Sequence, residues 1–196
     1  VPEGLALDLR PYQVEGFHFL VYLSRNRFGG ILADDMGLGK TIQSITWILW
    51  LREEKRRQLG PGKPIRPALV VCPKSVLDVW EAEFRKAAPA LKVQVLREKE
   101  AFDAATLENH LDVLVINYAQ LRGLHEELKP ARLLCAILDE GQQIKNPDSL
   151  SARAARDLKA DNRLVLTGTP LENRLLDLWS LMTFATPGSL GDRKYF

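Results

Sequence analysis

The chain has 196 residues and a formal net charge of +2, and 46% of its residues are hydrophobic and 27% are charged. This is an ordinary globular composition with ample material for a core, and the net charge is too small to indicate a polyanionic partner. No apolar stretch reaches about 18 residues, which predicts that no segment spans a membrane, and the first four residues are not a signal peptide.

Short apolar runs alternate with helical patterns along the chain. The predicted strands are 30–33, 68–72, 93–96, 113–116, 133–138 and 163–166, and the predicted helices are 13–25, 41–54, 76–87, 104–110, 120–128, 149–158 and 173–184. Continuous apolar strands are typical of strands buried on both faces. Their alternation with helices predicts an α/β fold with a parallel sheet and helices on both faces. Ligands of such sheets bind beyond the carboxyl ends of the strands.

The first helix begins at Leu9-Arg10-Pro11-Tyr12-Gln13. A proline near the first turn is common at a helix start. The Gln13 amide carries donors and an acceptor, which could read the edge groups of adenine. The pattern by itself indicates only a helix start.

The segment after the first strand is the most informative one. It reads Asp34-Asp35-Met36-Gly37-Leu38-Gly39-Lys40-Thr41, and the order of strand, glycine loop, Gly-Lys-Thr and helix is that of a nucleoside triphosphate site. The loop N–H groups form an anion nest, to which the helix adds the positive end of its dipole. Lys40 would reach the β- and γ-phosphates, and Thr41 would offer a hydroxyl to Mg²⁺. Asp34 departs from the general pattern, which has glycine there.

A basic stretch rich in helix breakers occupies about 52–67. It is predicted to be a surface loop between the helix after the glycine loop and the second strand. The loop is either simply solvated or a contact for nucleic acid.

Polar residues follow the second and fourth predicted strands. Lys74 and Ser75 come after the second strand, and Asn117 and Tyr118 come after the fourth. Each pair is a candidate contact for a nucleic-acid backbone. Helix caps or turns explain the two pairs equally well.

Asp139 and Glu140 follow the fifth strand, and Thr167-Gly168-Thr169-Pro170 follows the sixth. Adjacent carboxylates are poor strand material but suit phosphoryl transfer: Asp139 would hold Mg²⁺, and Glu140 would orient and deprotonate the attacking water. The threonine segment places two hydroxyls beside them. An ordinary loop or turn is the alternative for each motif taken alone.

Cys72 and Cys135 each lie in an apolar run. We expect both to be reduced thiols buried in strands rather than a disulfide or a metal site. Together with three scattered histidines, they supply no zinc pattern.

Five motifs in this order resemble those of Swi/Snf-type ATPases, which belong to the helicase-like superfamily with RecA-like lobes. They read LRPYQ, DDMGLGKT, PKS, DEGQ and TGTPLEN, and the resemblance runs from about Leu9 to the end of the chain. In this family Asp34 is part of the loop's own pattern. Gln142 stands where RNA helicases carry Asp or His, and Gly141 resembles a variant of bacterial members.

The resemblance implies a P-loop NTPase that uses ATP and Mg²⁺ to translocate along double-stranded DNA, with DNA-bound proteins as further partners. Gln13 would sense adenine, and the loop from Asp35 to Thr41 would hold the phosphates. Gln142, Thr167 and Thr169 would couple hydrolysis to movement, while Lys74, Ser75, Asn117 and Tyr118 would lie near DNA. The protein would act in the cytoplasm of a bacterium or the nucleus of a eukaryote.

The chain carries only the motifs of the first of two lobes. Residues 1–196 are therefore expected to be the N-terminal RecA-like lobe without the second, whose arginines would contact the γ-phosphate. Such an arginine contributes about 10³–10⁵ in rate, so the lobe alone should bind nucleotide weakly and hydrolyse it very slowly. A non-catalytic interaction module with the same fold and an RNA-dependent helicase are the alternatives.

Overall fold

The computed structural model describes residues 1–34, 37–97, 102, 107, 110–168 and 175–191. Within these ranges the strands are β1 (Gly30–Leu32), β2 (Ala68–Cys72), β3 (Val93–Val95), β4 (Val113–Asn117), β5 (Arg132–Leu138) and β6 (Lys159–Leu166). The helices are α1 (Pro11–Arg25), α2 (Lys40–Leu59), α3 (Leu77–Ala87), α4 (Tyr118–Gly123), α5 (His125–Leu128), α6 (Leu150–Asp157) and α7 (Leu175–Ala185). Two 3₁₀ turns span Lys74–Val76 and Gly141–Ile144.

The six strands form one sheet in the order β1-β6-β5-β2-β4-β3, and every pairing between neighbours is parallel. Strands β2, β4 and β5 are buried along nearly their whole length. Apolar residues at every position suit strands that are covered on both faces. The predicted parallel sheet with helices on both faces is confirmed.

Alternate residues of each strand enter two separate cores. Val70 of β2 packs in the core beneath α1, α2 and α3, which contribute Phe17, Ile45 and Phe84. Its neighbour Val71 packs in the opposite core, to which α4, α6 and α7 contribute. Because side chains alternate along a strand, one apolar strand supplies both cores. The helices thereby cover both faces of the sheet. The amino and carboxyl ends of the strands remain available for polar groups.

The prediction of a loop at about 52–67 is wrong for the first half of that segment, because α2 continues to Leu59. Residues 52–59 are all moderate or good helix formers, and Arg57 forms ion pairs with Glu53 and Glu54 one turn earlier. The helix ends where the helix breakers begin, at Gly60, which has a φ of +82°. Only residues 60–67 form the loop.

Other boundaries moved by a few residues. The predicted helix at 120–128 is two short helices, α4 and α5, with a break at Leu124. Most of the predicted helix at 104–110 lies outside the described residues.

The side chains of Cys72 and Cys135 are buried free thiols in β2 and β5, as predicted. Burial raises the pKa of the Cys72 thiol to about 12. Of the described helices, none has the length and apolar character needed to cross a bilayer.

Candidate functional site

The sequence motifs lie side by side at the carboxyl edge of the sheet. Strand β1 leads into the glycine loop, and its neighbour β6 leads into Thr167. The next two strands in the sheet, β5 and β2, lead into Asp139 and Lys74. Backbone hydrogen bonds extend two of the pairings past the strand ends, from Thr167 N to Leu32 O at 3.1 Å and from Asp139 N to Val71 O at 2.8 Å. Residues scattered over more than a hundred positions of sequence therefore lie at the same end of the sheet.

The glycine loop reaches α2 through two left-handed residues. Gly37 has a φ of 87° and Gly39, the N-cap of α2, has a φ of 74°, a region that favours glycine over residues with a Cβ. Lys40 Nζ donates to the carbonyl oxygen of Asp34 at 2.6 Å, so it folds back along the loop. Thr41 follows in the first turn of α2 and is half-buried. Asp35 and Met36 lie outside the described residues.

A buried glutamine that the sequence analysis missed supports this loop. Gln43 is 0% exposed and donates from Nε2 to the carbonyl oxygen of Leu38 at 3.3 Å. A Cβ added to Gly16 of α1 would lie 1.9 Å from Gln43 Oε1. The absence of a side chain at Gly16 therefore lets α1 approach α2 closely enough to contact Gln43, which bonds the loop at Leu38. The signal was a polar residue within the apolar pattern of α2.

Gln13, the predicted adenine sensor, lies beside the glycine loop. It is only 7% exposed, and its Oε1 accepts a hydrogen bond from Arg10 N at 2.9 Å. A Cβ on Gly39 would lie 2.3 Å from Gln13 Nε2. The structure thus brings the predicted base sensor against the N-cap of the phosphate helix, while its oxygen helps cap α1.

Asp139 has all four of its hydrogen-bonding atoms engaged. Its backbone N–H donates to Val71, and its backbone oxygen accepts from the Tyr118 hydroxyl at 2.7 Å. Oδ2 accepts from Trp80 Nε1 at 2.8 Å, and Oδ1 accepts from Glu140 N at 2.9 Å. Trp80 of α3 and the backbone N–H of Glu140 therefore hold the carboxylate in one orientation, while β2 and α4 fix the backbone of Asp139.

Burial raises the pKa of the Asp139 carboxyl above its usual value, and the neighbouring charge of Glu140 acts in the same direction. The hydrogen bond from Trp80 and the positive charge of Lys40 lower this pKa and so oppose the rise. A cation bound beside Asp139 would favour its ionised form further.

Glu140 is one of two non-glycine residues with a positive φ among those described, at φ 52° and ψ 59°. Such conformations cost about 1–3 kcal/mol and cluster at functional sites. Gln142 Nε2 donates to Glu140 Oε2 at 2.6 Å, and Thr167 Oγ1 makes a long contact of 3.4 Å with Gln142 Oε1. The predicted coupling residues Gln142 and Thr167 therefore form a chain that ends at Glu140. Thr169 lies outside the described residues.

Gly141 occupies a position that has no room for a side chain. A Cβ there would lie 2.2 Å from Cγ1 of Val165 in β6. Any residue larger than glycine at this position of DEGQ would therefore clash with the β-branched side chain of Val165.

The four candidate DNA contacts divide into two pairs. Lys74 and Ser75 are exposed on the 3₁₀ turn that follows β2. Asn117 instead caps α4, with Oδ1 accepting from Ala119 N and Gln120 N, and Tyr118 is 5% exposed with its hydroxyl on Asp139. Asn117 and Tyr118 are thus buried and serve the protein's own structure, whereas Lys74 and Ser75 are exposed.

Trp80 is a second residue that the sequence analysis missed. It lies one turn into α3 and is 1% exposed. A buried indole N–H requires an acceptor, and here the acceptor is the proposed metal ligand.

The donor set suits Mg²⁺. Asp139 and Thr41 supply hard oxygen atoms, and Mg²⁺ is usually held by one or two protein ligands together with phosphates and water. Among the described residues there is no cluster of three or more His, Cys, Asp or Glu that could hold a metal by itself.

Residues 12–196 match the family model described as the SNF2-related domain. The chain is 38% identical to the TATA-binding protein-associated factor mot1 of Aspergillus fumigatus, over 100% of the chain and 11% of that protein. It is 38% identical to the ISWI chromatin-remodeling complex ATPase ISW2 of Saccharomyces cerevisiae, over 96% of the chain and 17% of that protein. The chain thus spans a small part of the relatives that it matches.

Among solved structures, the Sulfolobus solfataricus SWI2/SNF2 ATPase core in complex with dsDNA superimposes with a TM-score of 0.88 and 40% identity. The match covers 100% of this chain and 39% of that one. The six-stranded parallel sheet is therefore the RecA-like fold of that ATPase core.

Proposed function

Because this chain belongs to the SNF2-related family, we propose that it is the ATP-binding lobe of a motor that hydrolyses ATP to move along double-stranded DNA or remodel DNA-bound protein. The observation that carries the proposal is that β1, which leads into the glycine loop and Lys40, and β5, which ends at Asp139 and Glu140, run parallel on the two sides of β6, so that both motifs lie at the same end of the sheet. A phosphate-binding lysine and a pair of carboxylates at the same end of a sheet are the parts that phosphoryl transfer to water requires.

In this proposal the glycine loop and α2 bind the triphosphate. Backbone N–H groups of the loop and the first turn of α2 point to the phosphates, and Lys40 exchanges its bond to Asp34 for the β- and γ-phosphates. Gln13 senses the base from its place beside Gly39. The loop therefore supplies binding and orientation.

Asp139 and Thr41 would hold Mg²⁺, which neutralises charge on the phosphates when bound. Glu140 accepts the proton of the attacking water, and Gln142 holds the Glu140 carboxylate by its hydrogen bond to Oε2. Gln142 also contacts Thr167, so a movement at either residue changes the position of the base. This is the route by which hydrolysis would be coupled to motion.

The resemblance to two-lobe motors implies that a second RecA-like lobe of the same protein completes the site. Without the arginine that such a lobe contributes, turnover is expected to be lower by about 10³–10⁵. The solved relative that this chain resembles is described as a complex with dsDNA. Lys74 and Ser75 are exposed at the same edge and would contact a DNA backbone.

The experiment is a steady-state ATPase assay of the full-length protein that carries this chain, with duplex DNA, duplex RNA or neither. We expect stimulation by duplex DNA, and stimulation by RNA alone would indicate an RNA-dependent enzyme instead. The fragment of residues 1–196 should show almost no turnover in the same assay. Turnover of the fragment on DNA close to that of the full-length protein would contradict the need for a second lobe.

A non-catalytic interaction module is the second candidate. The presence of Lys40, Thr41, Asp139 and Glu140 argues against it, since a module that only binds partners does not need them. The two are separated by a nucleotide titration of the wild-type protein and the Lys40→Ala variant. Equal binding by both proteins would favour the module.

A further inference from the structure

We propose that Trp80 is a positioning residue that links DNA contact at Lys74–Ser75 to the orientation of Asp139. The inference rests on the proposed function, since it requires DNA at the first site and nucleotide with Mg²⁺ at the second. It adds a residue to which no sequence motif pointed.

Trp80 holds one oxygen of the Asp139 carboxylate. Its Nε1 donates to Asp139 Oδ2 at 2.8 Å, and the indole is 1% exposed. An indole has a single donor and no acceptor, and leaving that donor unpaired in a dry core would be costly. The position of Oδ2 therefore follows the position of the ring.

The ring cannot move independently of its helix. Leu77, Trp80, Phe84 and Ala87 form the buried face of α3, and the rings of Trp80 and Phe84 lie 5.8 Å apart. Tightly packed side chains transmit displacement rather than absorb it. A shift of α3 therefore moves the indole N–H and the carboxylate that it holds.

The amino end of α3 is continuous with the exposed candidate DNA contact. The 3₁₀ turn Lys74–Val76 ends directly at Leu77, and Val76 N donates to Pro73 O at 3.0 Å. Ser75 precedes Trp80 by five residues, which is about 7.5 Å along a helix. A DNA backbone bound at Lys74–Ser75 would thus fix the first turn of α3, and with it the indole.

The two sites should then be thermodynamically coupled through Trp80. If DNA favours the α3 position in which Asp139 is oriented for Mg²⁺, nucleotide binding becomes tighter. By linkage, nucleotide then tightens DNA binding by the same factor. Substitution of the indole by a ring without the N–H should break this coupling and leave each site in place.

The test uses the full-length protein that carries this chain. Binding of a fluorescent non-hydrolysable ATP analogue with Mg²⁺ is measured with and without a short duplex DNA, and binding of labelled duplex is measured with and without the analogue. The wild-type protein should show a coupling factor of about 5 or more in both directions. In Trp80→Phe both ligands should still bind, with a coupling factor near 1.

Trp47→Phe is the matched control. Trp47 is 3% exposed, and its Nε1 donates to Ser24 Oγ at 2.8 Å, away from Asp139. The control loses a buried indole N–H just as Trp80→Phe does. It should keep the wild-type coupling factor.

Coupling retained by Trp80→Phe would overturn the inference, as would independent binding of the two ligands to the wild-type protein. Failure of the wild-type protein to bind nucleotide or DNA would overturn the proposed function and the inference together. If Trp80→Phe does not fold, the wild-type protein labelled with 5-fluorotryptophan decides, with resonances assigned by substitution of the other tryptophans. A Trp80 signal that does not respond to duplex DNA would then contradict the link.

Discussion

The two halves of the site differ in how firmly the protein holds them. Asp139 is bonded through all four of its polar atoms by groups from β2, α3, α4 and its own neighbour. In the described part of the glycine loop, Gly37 and Leu38 are exposed, Lys40 donates to the carbonyl oxygen of Asp34, and Gln43 donates to that of Leu38. The carboxylate is thus set before any ligand arrives, whereas Gly37 and Leu38 of the loop are exposed and accessible to an incoming anion.

The difference follows from what each half must bind. A divalent cation requires its ligand oxygens at defined positions, so a fixed carboxylate avoids a cost of ordering at the moment of binding. Backbone N–H groups of a glycine loop gain their partners only when the anion is present. Substitutions near Asp139 should therefore affect the protein without ligand, while substitutions in the loop should affect chiefly the bound state.

The largest expected effect is on turnover in Glu140→Gln. An amide cannot accept the water proton, so we expect the kcat of the full-length protein to fall about 10²–10⁴-fold. Nucleotide affinity should be retained, because the loop is unchanged and glutamine can still accept from Gln142. Steady-state kinetics and a nucleotide titration measure the two quantities. Retained DNA-stimulated turnover would remove Glu140 from the role of base.

A smaller effect, confined to binding, is expected for Lys40→Ala. Loss of one charge-assisted bond of about 1.5–3 kcal/mol should weaken nucleotide binding roughly 10–100-fold. The melting temperature without ligand should change less than the affinity, since the Lys40 side chain is only half-buried.

Lys55→Ala is the control for Lys40→Ala, because it removes a lysine from the same helix. Lys55 Nζ lies 3.8 Å from Asp161 Oδ2, and the residue is far along α2 from the glycine loop. The Lys55→Ala variant should bind nucleotide as the wild-type protein does. Equal weakening in both variants would mean that net charge, and not the loop, determines affinity.

The next effect tests whether the loop depends on the packing of α1 against α2. An added Cβ in Gly16→Ala would lie 1.9 Å from Gln43 Oε1, so Gln43 must shift and its bond to Leu38 should be lost. Overpacking of this kind costs about 1–3 kcal/mol. We expect a lower melting temperature and weaker nucleotide binding in the same variant.

Gly123→Ala is the control for this substitution, since a Cβ on Gly123 of α4 would meet nothing within 4 Å. Replacement of an exposed helical glycine by alanine should be neutral or stabilise by about 0.4–1 kcal/mol. A melting curve of Gly16→Ala that matched this control would show that α2 tolerates the change.

The smallest effect is expected for Tyr118→Phe, which removes one of the four bonds to Asp139. The loss should lower the free energy of unfolding by about 0.5–1.5 kcal/mol, measured by urea denaturation without ligand. Affinity for nucleotide should change little, because three bonds remain. A stronger loss of nucleotide binding than of stability would mean that the carboxylate is less firmly held than its contacts indicate.

Much of the fold could be read from the sequence, and the errors are local. The parallel sheet followed from continuous apolar strands alternating with helical patterns, because both faces of such strands must be covered. The end of α2 was misplaced, since a run of charged residues was interpreted as a loop although Arg57 and its acidic neighbours stabilise a helix. Charge by itself does not end a helix, whereas Gly60 does.

The sequence indicated candidate site residues where a motif would bind a ligand through its backbone or its charge. Lys40, Asp139 and Glu140 could be proposed because their residue types and order suit the chemistry. The surroundings of Asn117 and Tyr118 could not be predicted in the same way. A polar side chain after a strand can face solvent or cap the next helix, and only packing decides between the two.

The sequence by itself determined the parallel α/β sheet and the places of the glycine loop and the carboxylate pair at strand ends, because hydrophobic periodicity and short motifs act over a few residues. The tertiary structure alone decided that Trp80 holds Asp139, that Gln43 meets Gly16, and that Gly141 leaves room for Val165. Each of these contacts joins residues 24 to 59 positions apart. Contacts at such separations depend on how whole helices and strands pack, and no local pattern encodes them.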